Sequence, residues 1–148
     1  MHMVAVKRTA FSVREAAWSA ESAALRGIRT EVFILEQHVP EADEWDGLDA
    51  GCFHALAVDG SGDAIGTGRL SIDGKIGRMA VLKEWRGSGV GTGILGFLVT
   101  AARGRRLEEC VLHAQCQALT FYERQGFEPI GAEFLEAGIP HRRMRLRL

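Results

Sequence analysis

The sequence predicts an α/β, or α+β, layered domain in which helices flank a mixed sheet of six to seven strands. Three observations support this prediction. Strand-like runs joined by turn signals fill residues 52–81, and an apolar run of helical length follows a glycine-rich turn at residues 86–91. Short strands and helices then alternate to the C-terminus. Strands interleaved with helices form packed layers, and 148 residues correspond to one domain over residues 1–148.

The N-terminal part predicts a first strand and a first helix. Residues 11–17 favour the strand, and Ser19 is a candidate N-cap for the helix. Apolar residues at helical spacing continue to about Gln37, and Pro40 ends the helix. An acidic loop follows over residues 41–50, and its carboxylates are Glu41, Asp43, Glu44, Asp46 and Asp49.

The middle of the chain predicts three strands joined by two hairpins. Residues 59–63 form the first turn, and Asp73-Gly74 is a strong signal for a two-residue hairpin loop. Beyond the glycine-rich turn we expect a long helix, a strand at residues 110–114, a short helix around Tyr122, and two last strands near residues 130–134 and 142–148.

The composition excludes several classes of protein. Hydrophobic residues make up 47% and charged residues 25%, which is typical of a globular domain. A net charge of -1 argues against a dedicated nucleic-acid binder, and the longest apolar stretch is too short to span a membrane. The three cysteines have no metal-like spacing, and no signal peptide is visible. We therefore expect a cytoplasmic protein with reduced thiols and with no metal, nucleic-acid or membrane partner.

The glycine-rich turn is the strongest candidate for a ligand site. It consists of Arg86, Gly87, Ser88, Gly89, Val90 and Gly91. Alternate glycines let the backbone approach a ligand, and the helix that follows directs unpaired N–H groups and its positive dipole end into the turn. Such a turn suits a diphosphate. The spacing differs from that of a P-loop and of a dinucleotide-binding fingerprint.

Several motifs resemble one enzyme family. Arg86-x-x-Gly89-x-Gly91 resembles the coenzyme A pyrophosphate loop of the GNAT N-acetyltransferases, and residues 121–127 (FYERQGF) resemble their C-terminal signature. Residues 28–40 and 137–141 resemble a bacterial branch of this family that is often called ElaA-like. The resemblance covers most of the chain. It implies the GNAT acyl-CoA N-acyltransferase fold, in which the fourth and fifth strands splay apart to admit pantetheine.

The resemblance also implies a reaction and its cofactor residues. The expected activity is acetyl-CoA-dependent transfer of an acetyl group to a primary amine of a small molecule by direct attack. Cofactor binding is expected from Met79, Ala80, Val81, Arg86, Gly87, Ser88, Gly89, Val90, Gly91 and Gln115. The main chain of residues 79–81 would polarise the thioester carbonyl, as an oxyanion hole does. Where the family often has an asparagine, this chain has Cys116, so Gln115 or Gln117 would substitute.

Tyr122 and Glu36 are the candidate catalytic residues. Tyr122 is the only tyrosine in the chain, and the tyrosine of this motif is the usual general acid of the family. A phenol pKa near 10 exceeds the roughly 8.5 of a thiol, so the site must assist proton donation. The general base remains open between Glu36, a histidine (His54, His113 or His141) and a chain of waters. Glu36 has a simpler interpretation as an ion-pair partner of Arg29.

The acceptor is expected to contact residues outside the cofactor motifs. These candidates are Arg69, Arg78, Glu44, Asp46 and His141. A two-residue loop at Asp73-Gly74 would place Arg69 directly opposite Arg78, and like charges opposed across strands are destabilising. An anion should therefore lie beside them. It is either a carboxylate of this chain, from Glu36 or the acidic loop, or a carboxylate of the substrate. The acidic loop could also attract a cationic amine.

A second function remains compatible with the same motifs. A non-catalytic acyl-CoA-binding sensor would keep the glycine-rich turn but would not need a proton donor, so Tyr122 favours an enzyme. The sequence leaves open the acceptor amine, the acyl chain length, and the oligomeric state, a homodimer included.

Overall fold

A computed structural model describes residues 10–148 of the chain. Seven strands form one sheet in the order β1-β2-β3-β4-β5-β7-β6. The strands are β1 (Phe11–Ala16), β2 (Phe53–Asp59), β3 (Ala64–Leu70), β4 (Lys75–Val81), β5 (Glu109–Gln115), β6 (Glu128–Glu136) and β7 (Ile139–Arg147). The α-helices are α1 (Trp18–Arg29), α2 (Glu41–Glu44), α3 (Val90–Gly104) and α4 (Leu119–Arg124). Residues 1–9, where no signal peptide is expected, lie outside the described residues.

The sheet is mixed, which confirms the predicted fold class. All neighbouring strands are antiparallel except β4 and β5, which are parallel. Helix α3 packs on the sheet through an apolar stripe that includes Ile94, Leu95 and Leu98, all of them fully buried. Close approach favours glycine in β3, because a Cβ on Gly66 would lie 2.8 Å from Ile94 Cδ1 and 3.2 Å from the Ala80 carbonyl oxygen. No helix within residues 10–148 combines the length and apolarity needed to cross a membrane.

The first helix differs from its prediction at both ends. It begins at Trp18 with Ala17 as N-cap, so the predicted cap Ser19 lies inside the helix. Strand β1 remains paired with β2 up to residue 16, and the helix therefore follows the strand at once. After residue 29 the chain continues as a π-helix over Thr30–Glu36, closed by a hydrogen bond from Gln37 N–H to the Val32 carbonyl. Such wide turns are frequent at functional sites.

The predicted two-residue loop between β3 and β4 is wrong. Ser71 faces Lys75, so three residues form the loop, and Gly74 takes the left-handed conformation that such loops favour. As a result Arg69 pairs with Gly77 rather than with Arg78. A bulge follows in β4 at Arg78, whose φ is +50°, and it aims this side chain away from the regular ladder.

Strands β4 and β5 separate soon after they begin. Their parallel pairing is limited to two positions, Lys75 with Val111 and Ile76 with Leu112. From residue 77 onward the edge of β4 that faced β5 has no strand partner among the described residues. This confirms the splay implied by the resemblance, and it opens a cleft in the middle of the sheet.

Candidate active site

A cavity of about 600 Å³ occupies the cleft between β4 and β5. Its walls come from both splayed strands, the end of the π-helix, the acidic segment after it, helix α4 and the hairpin of β6 and β7. Nine candidate site residues line it: Glu44, Asp46, Arg69, Arg78, Met79, His113, Gln115, Tyr122 and His141. Glu36, Ala80, Val81 and the turn of residues 86–91 are not among its lining residues. The structure thus gathers side chains that lie as far as 97 residues apart in the chain.

The glycine-rich turn lies between β4 and α3. Gly87 and Gly89 have φ values of +77° and +87°, and a Cβ on either residue would meet no atom within 4 Å. The N–H groups of residues 87–92 make no hydrogen bond of normal geometry within residues 10–148. Unpaired amides at a helix N-terminus beside open space match what a diphosphate needs. Gly91 differs, because its Cβ would contact the Phe121 ring at 3.4 Å.

Arg86 joins this turn to the π-helix. Its Nε donates to the Val81 carbonyl at 3.0 Å, and its two terminal nitrogens donate to the Glu36 carboxylate at 2.6 and 2.7 Å. The hydrogen bonds from Arg86 lower the pKa of Glu36, which makes that carboxylate a weaker base. The prediction that Glu36 pairs with Arg29 is wrong, since Arg29 binds Glu44 and Asp49 instead.

Gln37 makes a contact on the other side of the cleft. Its side-chain amide exchanges two hydrogen bonds with Gln115, at 2.9 and 3.3 Å. Gln117 also donates to the Gln115 side chain. Consecutive residues at the end of the π-helix therefore contact the two rims of the cleft. Glu36 binds Arg86 in the turn after β4, and Gln37 binds Gln115 at the end of β5.

An ion network of three arginines and three carboxylates lies beneath the acidic segment. We call it the arginine network, and its members are Arg29, Arg69, Arg78, Glu44, Asp46 and Asp49. Arg29 binds Glu44 at 2.9 Å and Asp49 at 2.6 Å while only 1% exposed. Each carboxylate of the network is bound by an arginine, while burial raises the pKa of Glu44. Contact of Glu44 and Asp46 with the acceptor stays a prediction.

Asp46 is the anion expected beside the two arginines. It accepts hydrogen bonds from Arg69 and, at 3.3 Å, from Arg78. Burial opposes ionisation of Asp46, but the hydrogen bonds from Arg69 and from the Leu48 N–H outweigh it and lower the pKa. The interpretation as a carboxylate of the acidic loop is thus confirmed, although the strand register used to reach it is wrong.

Tyr122 contributes a half-buried phenol to the cavity. Its ring makes edge contacts with Phe121 and Phe127, at centroid distances of 5.0 and 6.1 Å. Burial raises the pKa of Tyr122 to about 12, so the hydroxyl stays protonated at neutral pH. Within residues 10–148 no side chain or backbone group forms a hydrogen bond with this hydroxyl, which leaves it available to a ligand.

A second ionisable group of residues lies on the opposite wall. We call it the histidine cluster: His113, Glu136 and His141, all lining the cavity. Glu136 is 3.0 Å from His113 Nδ1 and 3.7 Å from His141 Nε2. Sequence analysis missed Glu136, although it directly precedes the segment 137–141 that carries part of the resemblance.

The third candidate histidine is separate from the cavity. His54 is buried, stacks on Trp18 at 5.3 Å, and has its Nε2 2.8 Å from the Asp49 carbonyl. Burial lowers the pKa of His54, which keeps the ring neutral. These contacts describe a core residue rather than a base that reaches a substrate.

Comparison with protein families identifies the architecture. The sequence profile described as the acetyltransferase (GNAT) domain matches residues 15–148. Two Bacillus subtilis proteins are similar over most of their length. YyaT is 42% identical over 120 residues, covering 77% of this chain and 80% of YyaT. YjcF, described as an uncharacterized N-acetyltransferase, is 40% identical over 121 residues, covering 79% of this chain and 86% of YjcF.

Solved structures have the same fold. An acyl-CoA N-acyltransferase from Pseudomonas aeruginosa superposes with a TM-score of 0.79 at 32% identity, covering 91% of this chain and 97% of that one. Escherichia coli ElaA gives a TM-score of 0.79 at 28% identity, covering 91% of this chain and 98% of ElaA. The similarity to ElaA agrees with the branch that the sequence motifs indicate.

Proposed function

Because this chain belongs to the GNAT acetyltransferase family, we propose that it transfers the acetyl group of acetyl-CoA to a primary amine of a small molecule. The observation that supports this most is the open glycine turn, which follows β4, the strand that forms one wall of the cleft. A diphosphate bound at the turn would leave the arm of coenzyme A free to enter the cleft. Acetyl as the acyl group, and an amine as the acceptor, are parts of the proposal.

The proposed cofactor contacts are largely main-chain ones. The amides of residues 87–92 bind the diphosphate, helped by the dipole of α3. The unpartnered edge of Met79, Ala80 and Val81 binds the pantetheine arm and presents an N–H to the thioester oxygen. Gln115 lies across the cleft as a further contact. We propose that Arg86 acts by holding the turn in place, since its five-donor fork is already directed at Glu36 and Val81.

The proposed reaction is a direct attack. The neutral amine forms a bond from its nitrogen to the thioester carbon, and the carbon–sulfur bond breaks. The Tyr122 hydroxyl donates its proton to the leaving sulfur. With a pKa of about 12 this phenol is a weak acid, so it acts by being positioned and protonated rather than by being strongly acidic. We propose for Glu36 a role in positioning Arg86, because its lowered pKa disfavours proton uptake.

Two measurements test this function. Free thiol released from acetyl-CoA with a panel of primary amines reports transfer, and the thermal shift produced by coenzyme A reports binding. Ligand at about a hundred times its dissociation constant should add roughly 2.7 kcal/mol of apparent stability. Binding without thiol release from any amine would favour the non-catalytic sensor instead, and absence of both would overturn the proposal.

Substitution at the turn supplies the matched control. Gly89→Val should abolish the shift caused by coenzyme A, because its branched side chain enters the open space of the turn. Gly62→Val is the control, since Gly62 has a similar φ of +84° and equally open surroundings but lies in the turn between β2 and β3. Both variants carry similar backbone strain, so only the first should lose the response to coenzyme A.

A further inference from the structure

We propose that His141 accepts a proton from the ammonium group of the acceptor, and that Glu136 holds this ammonium group beside the His141 ring. This inference rests on the proposed function and assigns the base that the sequence leaves open. It is carried by the contacts of the histidine cluster, whose members come from three neighbouring strands, β5, β6 and β7.

The hydrogen bond of one ring nitrogen fixes the tautomer of His141. Nδ1 lies 2.6 Å from the Ile139 carbonyl oxygen, which can only accept, so Nδ1 must carry the proton. In the neutral ring Nε2 then has a free lone pair. A backbone carbonyl two residues away thus leaves His141 with its basic nitrogen available.

The location of His141 suits a base that meets the acceptor. It lies opposite Gln115 in the pairing of β5 with β7, at the end of β5 and beside the cleft. The residue is 6% exposed, its ring stacks on Phe134 at 5.9 Å, and it lines the same cavity as Tyr122. The candidate proton acceptor and the candidate proton donor therefore share one chamber.

The spacing of Glu136 fits a bound ammonium. Glu136 Oε2 is 3.7 Å from His141 Nε2, which is too far for a direct hydrogen bond, and a single ammonium nitrogen between them can donate to both. Glu44 and Asp46 also line the cavity, but arginines bind both of them. By contrast, the ion-pair partners of the Glu136 carboxylate within residues 10–148 are the two imidazoles, with Lys75 acting on it from a greater distance. A hydrogen bond from His113 outweighs partial burial and lowers the pKa of Glu136, so it is anionic at neutral pH.

One tight turn holds both parts of this arrangement. Ala137 and Gly138 have φ values of +50° and +75° and join β6 to β7 as a two-residue loop. Positive φ at both positions is typical of a type I′ turn, and it is unfavourable for alanine. The turn places Glu136 opposite Ile139, whose carbonyl fixes the tautomer of His141. Strain of this kind persists where the surroundings require the geometry.

The protons balance in this scheme. The acceptor nitrogen begins as an ammonium, gives one proton to His141 Nε2, and uses the freed lone pair to form the bond to the acetyl carbon. When the amide forms the nitrogen loses a second proton, which restores the Tyr122 hydroxyl after Tyr122 has given its own proton to the departing sulfur. One proton per transfer is therefore released to solvent, from His141 past Glu136, whose side chain is 45% exposed.

A matched pair of acceptors tests the proposal. One is the most active primary amine of the panel, and the other is the aminooxy compound with the same chain, which is already neutral at pH 7. His141→Gln should lower turnover on the amine by about 10² to 10⁴, and by less than tenfold on the aminooxy compound, because that acceptor has no ammonium proton to remove. A structural role would lower both rates equally, and this outcome, or full turnover on the amine, would overturn the proposal.

Two further measurements keep the outcomes separate. Glu136→Gln, at a half-exposed side chain, should raise KM for the amine but not for the aminooxy compound. If His141→Gln fails to fold, this variant replaces it in the test of the proposal. The thermal shift with coenzyme A reports folding of each variant. A wild-type protein that releases no thiol with any amine overturns the proposed function itself. An active wild type whose two variants show no preference between the acceptors overturns only the assignment of His141.

Discussion

The arginine network and the histidine cluster use ionisable groups in opposite ways on two walls of one cavity. In the arginine network each carboxylate is bound by at least one guanidinium, and Arg29 and Glu44 are almost fully buried. In the histidine cluster one partly exposed carboxylate faces two imidazoles, and one gap is too long for a hydrogen bond. Saturated charges hold a loop in place, whereas unsaturated charges can take up a ligand or a proton.

The largest expected effect is a loss of stability when one cation of the arginine network is removed. Arg29→Met removes a cation that is 1% exposed and leaves Glu44 and Asp49 without one of their partners. Removing one member of a buried ion pair typically costs about 3–5 kcal/mol. Urea denaturation should show a loss of that size, while Glu136→Gln should change the free energy of unfolding by less than about 1 kcal/mol. Equal losses in the two variants would contradict the contrast between the clusters.

The next effect concerns the rate on the unsaturated side of the cavity. Tyr122→Phe removes one oxygen from a ring packed between Phe121 and Phe127, so stability should change little. Loss of a positioned general acid lowers turnover by about 10² to 10⁴, toward the low end if water replaces it. Turnover is measured where chemistry limits the rate, with the affinity for coenzyme A as control. Full turnover would make Tyr122 a packing residue.

Acid should destabilise the saturated side first. The pKa of Asp46 and that of Asp49 are lowered in the folded protein, because hydrogen bonds from arginines outweigh burial. A lowered carboxyl pKa contributes stability that is complete above the unfolded value of about 3.9 and is lost as pH falls below it. Urea denaturation of Asp46→Asn and wild type should therefore show a difference in the free energy of unfolding that is constant near pH 7 and shrinks progressively as pH falls below about 3.9. A difference that does not shrink in acid would show that the charge of Asp46 is irrelevant.

A smaller effect separates positioning from proton transfer at Glu36. Glu36→Gln removes the charge from a pair in which both side chains are more than one-third exposed, and such pairs contribute about 0.2–1 kcal/mol. Titration calorimetry should show coenzyme A binding weakened by about two- to fivefold. Turnover at saturating coenzyme A should stay within about tenfold of wild type. A loss of about 10² or more would restore Glu36 as the general base.

The smallest expected effect concerns the turn that carries the histidine cluster. Ala137→Gly relieves a left-handed alanine but adds backbone freedom to the unfolded chain, so we expect a gain of about 0.5–1 kcal/mol in stability. Ala101→Gly, within α3, is the control and should lose about 1 kcal/mol. If Ala137→Gly is as destabilising as the control, the turn is not strained.

Local signals predict much of the fold, because they depend on neighbours in sequence. The glycine turn before α3 and the three strands of residues 53–81 follow from turn residues and periodicity. The register of β3 with β4 does not follow from such signals. The Ser71 hydroxyl accepts a hydrogen bond from the Lys75 N–H, and this closes a longer loop than Asp73-Gly74 suggests.

Contacts between distant residues explain what sequence analysis missed in the site. Glu36 and Arg86 are 50 residues apart, and Glu136 lies 23 residues from His113. No periodicity relates such positions, so their pairing depends on how strands from separate parts of the chain come together. The acidic loop is an intermediate case, because the sequence predicts an anion such as one of its carboxylates beside Arg69 and Arg78, whereas it does not predict that Arg29 binds Glu44 and Asp49.

The π-helix makes the length of this chain as important as its chemistry. Its wide turn contains one residue more than an α-helical turn would. The last residue of the π-helix is Glu36, and Gln37 caps it. If the helix kept its path, deleting a single residue between positions 30 and 35 would shift Glu36 and Gln37 by one position, a rotation of about 100° in α-helical geometry. Both rims of the cleft would lose their contacts at once. A one-residue deletion in the π-helix should therefore disturb the cleft more than a substitution of Glu36 or Gln37 alone.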